Sequence, residues 1–349
     1  YNVRQHSGGK MFVIVSGGDA ETYVEGTNAS GETFTLQNGV ASNFILYAGG
    51  SQHVKSGGVA SNTTINDRGS QTVSSGGVAS NTTINDRGSQ TVSSGGVANN
   101  TTINYGGSQT VSSGGVASTT TINSGGHQDV SSGAVASDTI LDGTQYVYSS
   151  GVARNTTINS NGGLRISSGG KAYNIVQSAG GILQVDVYGG DTETYMSGTN
   201  ASGKAFTLQN GVAENFILYF AGGQNVFSGG VASDTIISSG GWQVVDSGGV
   251  ASNTTINEGG WQYVDGGVAS DTTINESGTQ DVFSGAASDT LVAGGVQNVS
   301  SGGVASNTTL NSGAVNLYEG GLINGLNATG GDLNVYGNNT LQGNINLAD

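Results

Sequence analysis

Residues 57–75 read GGVASNTTINDRGSQTVSS, and residues 76–94 repeat the same nineteen letters. The spacing of nineteen continues after the letters diverge, as five valines show: Val54, Val73, Val92, Val111 and Val130. A fixed period of about twenty residues is typical of a solenoid, in which each repeat forms one coil and packs only against its neighbours. The period therefore indicates the fold before any local feature does.

Each nineteen-residue unit contains three short segments that favour an extended backbone, separated by glycine or polar turns. Thr, Ile and Val favour half-buried β-structure, and no segment has the period of an amphipathic helix. Identical units are expected to stack in one direction, and parallel connections are normally right-handed. The sequence thus predicts an all-β fold, a right-handed parallel three-sided β-helix (solenoid) built from about 19-residue coils. We expect Val59, Ile65 and Val73 to point into its core, one from each side.

A longer repeat is superimposed on the coils. Residues 19–47 read DAETYVEGTNASGETFTLQNGVASNFILY, and residues 191–219 read DTETYMSGTNASGKAFTLQNGVAENFILY. Each copy inserts polar residues ahead of an apolar stretch, so we expect it to interrupt the coils and to bulge from one side or bend the solenoid. A shortened corner is expected near residues 133–143, because Val147 follows Val130 after only seventeen residues.

These features predict one β-helical domain over residues 1–349, with five sub-blocks. They are the N-terminal coils with the first inserted unit (1–47), the regular coils (48–190), the second inserted unit (191–223), the acidic coils (224–312) and the irregular C-terminal coils (313–349). Tyr1 begins directly in polar sequence, so we interpret the chain as a processed or truncated fragment.

The charge of the chain is negative and unevenly distributed. The formal net charge is −15, from nine Lys and Arg against 24 Asp and Glu. Residues 175–349 contain fifteen acids and one base, Lys204, whereas the residues before them are close to neutral. Because nucleic-acid binding requires a basic footprint, we expect no nucleic-acid partner. The absence of cysteine excludes disulfides and thiolate metal sites.

No group of residues has the pattern of a catalytic or cofactor site. The three histidines, His6, His53 and His127, fall in different coils, and none has a metal-ligand partner at a short fixed spacing. The sequence has no nucleophile elbow, phosphate-binding loop or dinucleotide fingerprint, and its many GG pairs are interpreted as corner glycines. We therefore expect no enzymatic activity, no cofactor and no metal.

Polar residues recur at the corner that follows the isoleucine of each coil. Asn usually follows Ile, where it can form a hydrogen-bonded ladder or serve the turn itself. Two acid–base pairs, Asp67–Arg68 and Asp86–Arg87, fall at the same corner. We call the candidate binding residues the corner strip: Asn66, Asp67, Arg68, Asn85, Asp86, Arg87, Asn104 and Asn123. The alternative is that this corner is only a solvated turn.

The units SGGVASNTTIN, GSQTVSSGG and GGWQVVDSGGVASNTTINEGGWQYV resemble the passenger repeats of the AIDA-type self-associating autotransporter adhesins. The resemblance covers residues 1 to about 345 and includes the interrupted element at residues 197–219. It implies a β-helical passenger displayed on the bacterial cell surface or secreted. It further implies pairing with copies on neighbouring cells, aggregation and biofilm formation, contact with host cells, and modification of Ser and Thr by a heptosyltransferase.

Parallel stacking places the same polar residue at regular heights, which offers a mechanism for such pairing. Two antiparallel solenoids could join their corner strips through many weak hydrogen bonds and gain affinity from their number. We expect the acidic half of the chain to pair with itself less readily. The alternative function is an adhesin that binds a host-cell receptor or glycan without self-association, and a purely structural spacer comes third.

Overall fold

The computed structural model describes residues 2–347 and confirms the all-β prediction, since every regular element in this range is a strand. The chain divides into two compact units, unit 1 (residues 1–176) and unit 2 (residues 177–349). Each unit contains one copy of the longer repeat. Among the described residues there is no helix that could cross a membrane. The single domain with five sub-blocks stays a prediction.

The strands are numbered in chain order. Those that begin in unit 1 are β1 (Asn2–Arg4), β2 (Phe12–Ser16), β3 (Tyr23–Thr27), β4 (Thr33–Gln37), β5 (Val40–Ser42), β6 (Ile45–Leu46), β7 (Ser51–Lys55), β8 (Val59–Ser61), β9 (Thr64–Ile65), β10 (Ser70–Val73), β11 (Val78–Ile84), β12 (Ser89–Val92), β13 (Val97–Ile103), β14 (Ser108–Val111), β15 (Val116–Ile122), β16 (His127–Val130), β17 (Val135–Ser137), β18 (Ile140–Leu141), β19 (Thr144–Val147), β20 (Val152–Arg154), β21 (Thr157–Ile158), β22 (Gly163–Ile166) and β23 (Lys171–Gln177). Those of unit 2 are β24 (Ile182–Val187), β25 (Tyr195–Thr199), β26 (Ala205–Gln209), β27 (Val212–Glu214), β28 (Ile217–Leu218), β29 (Gly223–Val226), β30 (Val231–Ser233), β31 (Ile236–Ile237), β32 (Trp242–Asp246), β33 (Val250–Ser252), β34 (Thr255–Ile256), β35 (Trp261–Asp265), β36 (Val268–Ser270), β37 (Thr273–Asn275), β38 (Thr279–Phe283), β39 (Ala286–Ser288), β40 (Leu291–Ser300), β41 (Val304–Leu317), β42 (Leu322–Ala328), β43 (Asp332–Val335) and β44 (Thr340–Leu347).

One coil of unit 1 shows how the nineteen-residue unit folds. Strands β8, β9 and β10 form three sides, and each pairs in parallel with the equivalent strand of the next coil. Ile65 pairs with Ile84 and Val73 with Val92, so the strand register follows the sequence period. In the next coil the first two sides join into one strand, β11, which bends at Asn81 in the left-handed conformation (φ 56°). The predicted parallel three-stranded coil is confirmed.

Two of the three predicted core residues are confirmed, and the third is wrong. Ile65 and Val73 are fully buried, whereas Val59 is half-buried. Side chains alternate between the two faces of a strand, so only one of two adjacent residues can face the core. Gly58 and Ala60 take the inward positions here, and Val59 between them faces outward.

A row of buried glutamines, which the sequence interpretation missed, lies in the core of each unit. Gln90 Nε2 donates to Gln71 Oε1 at 2.6 Å, and the same bond joins Gln71 to Gln52. Thr82 Oγ1 also donates to Gln71 Oε1, at 3.2 Å. The members of this glutamine ladder are Gln52, Gln71, Gln90, Gln109, Gln128 and Gln145 in unit 1 and Gln224, Gln243, Gln262, Gln280 and Gln297 in unit 2. The ladder pairs amides whose burial without partners would be costly.

Each inserted segment forms antiparallel strands that interrupt the parallel stacking. Strand β4 pairs antiparallel with β3 and with β5, and β26 pairs in the same way with β25 and β27. Asn28 closes the first hairpin, because its Oδ1 accepts hydrogen bonds from the backbone N–H groups of Ser30 and Glu32. Phe34 and Phe44 pack below it with ring centroids 4.9 Å apart. The predicted interruptions near residues 19–47 and 191–219 are thus confirmed as two equivalent hairpins.

The shortened coil is also confirmed. Leu141 pairs with Ile122, nineteen residues earlier, but Thr144 pairs with His127, seventeen residues earlier. The corner between the second and third strands is therefore shortened, from residues 123–126 in the preceding coil to residues 142–143 in this one. Both strands keep their register across the change.

In unit 2 the parallel coils continue with small changes of length. Trp242 and Trp261 are nineteen residues apart, so the period of the sequence predicts that they pair in register, and they do, but their rings have different neighbours. The Trp242 ring lies over Gly223, and the Trp261 ring contacts Tyr263 at a centroid distance of 5.6 Å. In the last coils the spacing falls to eighteen residues, since Val299 pairs with Leu317.

Candidate self-association surface

The corner strip lies at the turn between the second and third strands of successive coils of unit 1. Gly69 N donates to Asn66 O at 2.7 Å and closes the first turn, and Gly88 N closes the next turn on Asn85 O at the same distance. Arg68 and Arg87 have positive φ angles of 70° and 55°. A residue other than glycine in this conformation costs roughly 1 kcal/mol. The corner therefore keeps two arginines where glycine would be less strained.

The four asparagines of the strip form a ladder along this corner. Asn85 Nδ2 donates to Asn66 Oδ1 at 2.7 Å, Asn104 donates to Asn85 at 2.6 Å, and Asn123 donates to Asn104 at 2.6 Å. All four side chains are half-buried. Each hydrogen bond of the ladder joins the side-chain amides of neighbouring coils. These asparagines therefore hold the strip in place and offer few free donors to a partner.

The charged residues of the strip are the part that faces solvent. Asp67, Arg68, Asp86 and Arg87 are exposed. Arg87 Nε lies 3.9 Å from Asp86 Oδ1, with both side chains more than 60% exposed. An ion pair this exposed stabilises the fold by at most about 1 kcal/mol. The acids and bases of these two successive coils thus remain available to a partner whose surface carries the opposite charges at matching positions.

An exposed aromatic residue extends the strip and was missed in the sequence. Tyr105 occupies the turn position of Asp67 and Asp86 in the following coil and is 76% exposed. Its ring lies over Gly125, where an added Cβ would be 2.3 Å from Tyr105 Cδ2. The signal was present in the repeat, since the unit NDRG becomes NYGG at residues 104–107. Tyr105 therefore gives the end of the strip an apolar contact surface.

Exposed serines form another row, at the corner after the third strand. Ser75, Ser94 and Ser113 follow one another at the nineteen-residue spacing, and all three are exposed. Thr82 and Thr101 belong to the same coils but face the core and are 1% exposed. The hydroxyls of unit 1 thus fall into an accessible class and an inaccessible class.

The structure does not place any of the three histidines in a cluster that could hold a metal ion. Within residues 2–347 there is no group of three His, Asp or Glu side chains placed to hold a metal ion. A depression of about 330 Å³ in unit 2 is lined by residues such as Asn307, Asn324 and Asn344 and contains no titratable side chain.

Comparison with known proteins gives two matches. The family model described as adhesin of bacterial autotransporter system, probable stalk, matches residues 25–88, 74–126 and 197–260. The crystal structure of a TibC-catalyzed hyper-glycosylated TibA55-350 fragment is 37% identical in sequence and covers 85% of this chain and 98% of that chain, with a TM-score of 0.46. A search of curated proteins finds no match. On the sequence identity and the family model, this chain belongs to the AIDA family of bacterial autotransporter adhesins.

Proposed function

We propose that this chain mediates cell–cell aggregation and biofilm formation by homotypic, antiparallel association of its β-solenoids. The observation that carries the proposal is the exposed row of Asp67, Arg68, Asp86 and Arg87 on a nearly neutral unit. A two-fold axis makes an interface self-complementary, because a residue of one molecule that contacts a second residue of its partner is matched by the reverse contact. In an antiparallel pair, the arginines of one strip can face the aspartates of the other.

The affinity would come from the number of weak contacts rather than from any single contact. Exposed charge pairs contribute about 0.2–1 kcal/mol each, and Tyr105 adds apolar area. Such an interface is weak between two molecules and strong between two cells that each display many copies. This role requires a chain that is displayed on the bacterial surface or secreted, which the family supports.

Removing the charges of the strip is expected to abolish clumping of cells that display the chain. The variant combines Asp67→Asn, Arg68→Gly, Asp86→Asn and Arg87→Gly, which leaves the asparagine ladder and the turns in place. The measurement is the settling rate of a displaying, otherwise non-clumping bacterium, with surface display checked by antibody.

A matched variant controls for the number of charges removed. Lys55→Gln, Lys171→Gln, Glu21→Gln and Asp138→Asn also remove two acids and two bases from unit 1, at positions outside the corner that carries the strip. We expect these cells to clump as the parent does. Equal settling of the strip variant and the parent would reject the strip as the contact. Binding to host cells without any clumping would favour the alternative, a host-receptor or glycan-binding adhesin.

The proposal includes modification of this chain by a glycosyltransferase, since the TibA relative was glycosylated by TibC. The acceptors would be exposed hydroxyls, because a transferase must reach the oxygen. On co-expression with such an enzyme, we expect glycans on Ser75, Ser94 and Ser113. Thr82 and Thr101, which are 1% exposed, should remain unmodified.

Peptide mass spectrometry of the purified, folded chain checks this prediction. Thr82 and Thr101 are the internal controls, because they lie in the same coils as the serines. Glycans on the buried threonines in proportion to the serines would mean that modification precedes folding, and unmodified serines would reject them as acceptors.

A further inference from the structure

The outward face of the third strands of unit 2 differs in chemistry from the same face of unit 1. In unit 2 it carries aromatic rings and carboxylates, whereas β10, β12 and β14 of unit 1 present mainly Ser and Thr. We call the following group the aromatic–acidic face: Phe227, Asp246, Trp261, Tyr263, Asp265 and Phe283. Its residues lie on, or directly after, four successive parallel strands, β29, β32, β35 and β38.

Three rings of this face, Trp261, Tyr263 and Phe283, form a ridge that is partly exposed. The Tyr263 ring lies 5.6 Å from Trp261 and 6.5 Å from Phe283, the latter at an interplanar angle of 13°. Trp261 is 41% exposed and Phe283 is 38% exposed. Trp261 Nε1 donates to Asp281 Oδ2 at 2.7 Å, which fixes the indole in place. The ring faces are thus oriented before any ligand arrives.

Two carboxylates lie beside the rings without a compensating charge. Asp246 and Asp265 are paired in register on adjacent strands, so like charges occupy neighbouring heights. Burial, and then the charge of Asp265, raise the pKa of Asp246. Within residues 2–347, neither carboxylate has a hydrogen-bond or ion-pair partner. The single base of unit 2, Lys204, lies in the hairpin loop between β25 and β26.

Unit 1 shows which group completes such a surface. On the equivalent face, Asp129, Tyr146 and Arg165 occupy three successive heights, and Arg165 Cζ lies 5.8 Å from the Tyr146 ring centroid. Arg154 lies 4.6 Å over the ring of Tyr173 in the same unit. Rings and carboxylates attract guanidinium and ammonium groups together. The aromatic–acidic face of unit 2 has the rings and the acids but no Lys or Arg side chain.

We propose that the aromatic–acidic face binds a basic, extended polypeptide segment of a partner protein. Its Lys or Arg side chains would lie over Tyr263 and Phe283 and against Asp246 and Asp265. Charge complementarity selects this occupant over a neutral sugar, because a sugar leaves the charge of the carboxylates uncompensated, whereas a Lys or Arg side chain neutralises it. An open ridge fits an extended chain rather than a small enclosed ligand. This proposal is independent of the corner strip, which lies in unit 1.

The test measures binding of a fluorescein-labelled peptide of alternating arginine and serine to the purified chain by fluorescence anisotropy, at low salt. The variant Asp246→Asn, Asp265→Asn is expected to weaken binding about tenfold, and Phe283→Ala several-fold. Binding should also weaken as the pH falls through the range where carboxylates protonate. A glutamate–serine peptide should not bind.

Matched variants separate this face from the overall negative charge of unit 2. Asp234→Asn, Asp271→Asn removes the same two charges at exposed corners where other coils carry Asn, and Phe220→Ala removes a ring that is 73% exposed at another corner. These should change the affinity less than about twofold. Equal weakening by both aspartate pairs, or no binding of the arginine peptide, would overturn the proposal. So would binding of a neutral oligosaccharide that the same aspartate and Phe283 variants abolish.

Discussion

Replacing Gln90 with glutamate is expected to lower the free energy of unfolding by about 3–5 kcal/mol at about pH 7. Gln90 is 1% exposed, and its Nε2 donates to Gln71 Oε1 at 2.6 Å. Glutamate has the same size but replaces this donor with a second oxygen. Two acceptors then face each other, and the buried carboxylate has no opposite charge beside it.

The loss of stability should depend on pH. Burial without an opposite charge raises the pKa of the introduced carboxyl group in the folded state above its unfolded value of about 4.3. The penalty is therefore complete above the folded pKa and disappears as the pH falls below the unfolded value. A protonated glutamate can again donate to Gln71, so the variant should approach the parent at about pH 4.

Gln37→Glu is the matched control for this experiment. Gln37 is exposed at the end of β4, and the same change of charge there should alter stability by less than about 0.5 kcal/mol. Urea unfolding of the parent and both variants at two pH values gives the comparison. If Gln90→Glu and Gln37→Glu change the free energy of unfolding equally at neutral pH, the glutamine ladder does not stabilise the fold as proposed.

Gly96→Ala should destabilise the chain by about 2–3 kcal/mol, because the coils leave no space for a Cβ at this corner. An added Cβ would lie 2.3 Å from Val73 O and 2.6 Å from Val73 C in the backbone of the preceding coil. The same 2.3 Å approach to a valine carbonyl recurs at Gly77 and Gly115, so the requirement belongs to the repeat. The clash can be relieved only if one coil shifts relative to the next.

The neighbouring glycine provides the control. Gly95 has a φ of 73°, and its added Cβ would be 3.2 Å from the nearest atom, Gly76 N. Gly95→Ala should therefore cost only the conformational penalty, about 1 kcal/mol. Thermal unfolding of the two variants ranks them directly. Equal losses would mean that the second glycine of each GG pair serves backbone conformation and not close approach.

The period of the sequence predicts the fold because every coil repeats the same register. Val73 and Ile65 are recognisable as core residues since they are apolar and recur at fixed spacing. The inward position of Ala60 is not recognisable in this way, because Val59 beside it is more apolar and equally periodic. Gln71 is equally periodic, but a polar residue indicates a core position only when its partners are known.

The candidate site is predictable in position and only partly in chemistry. The recurrence of Asn after Ile locates the corner, but the half-buried ladder of Asn66 and Asn85 depends on side-chain distances. Predicting the aromatic–acidic face would have required knowing which residues point outward on the third strands of four successive coils. Once strand phase is known, Asp246 and Asp265 follow from the alternation of the strands.

The most direct test of homotypic association is sedimentation velocity of the purified chain over a range of concentrations, at low and moderate salt. We predict a reversible monomer–dimer equilibrium that weakens with salt, because charged side chains form the contact. The variant lacking the charges of Asp67, Arg68, Asp86 and Arg87 should remain monomeric, whereas the matched charge-removal variant should dimerise as the parent does. A parent that stays monomeric at tens of micromolar, or a strip variant that dimerises equally well, would contradict the account.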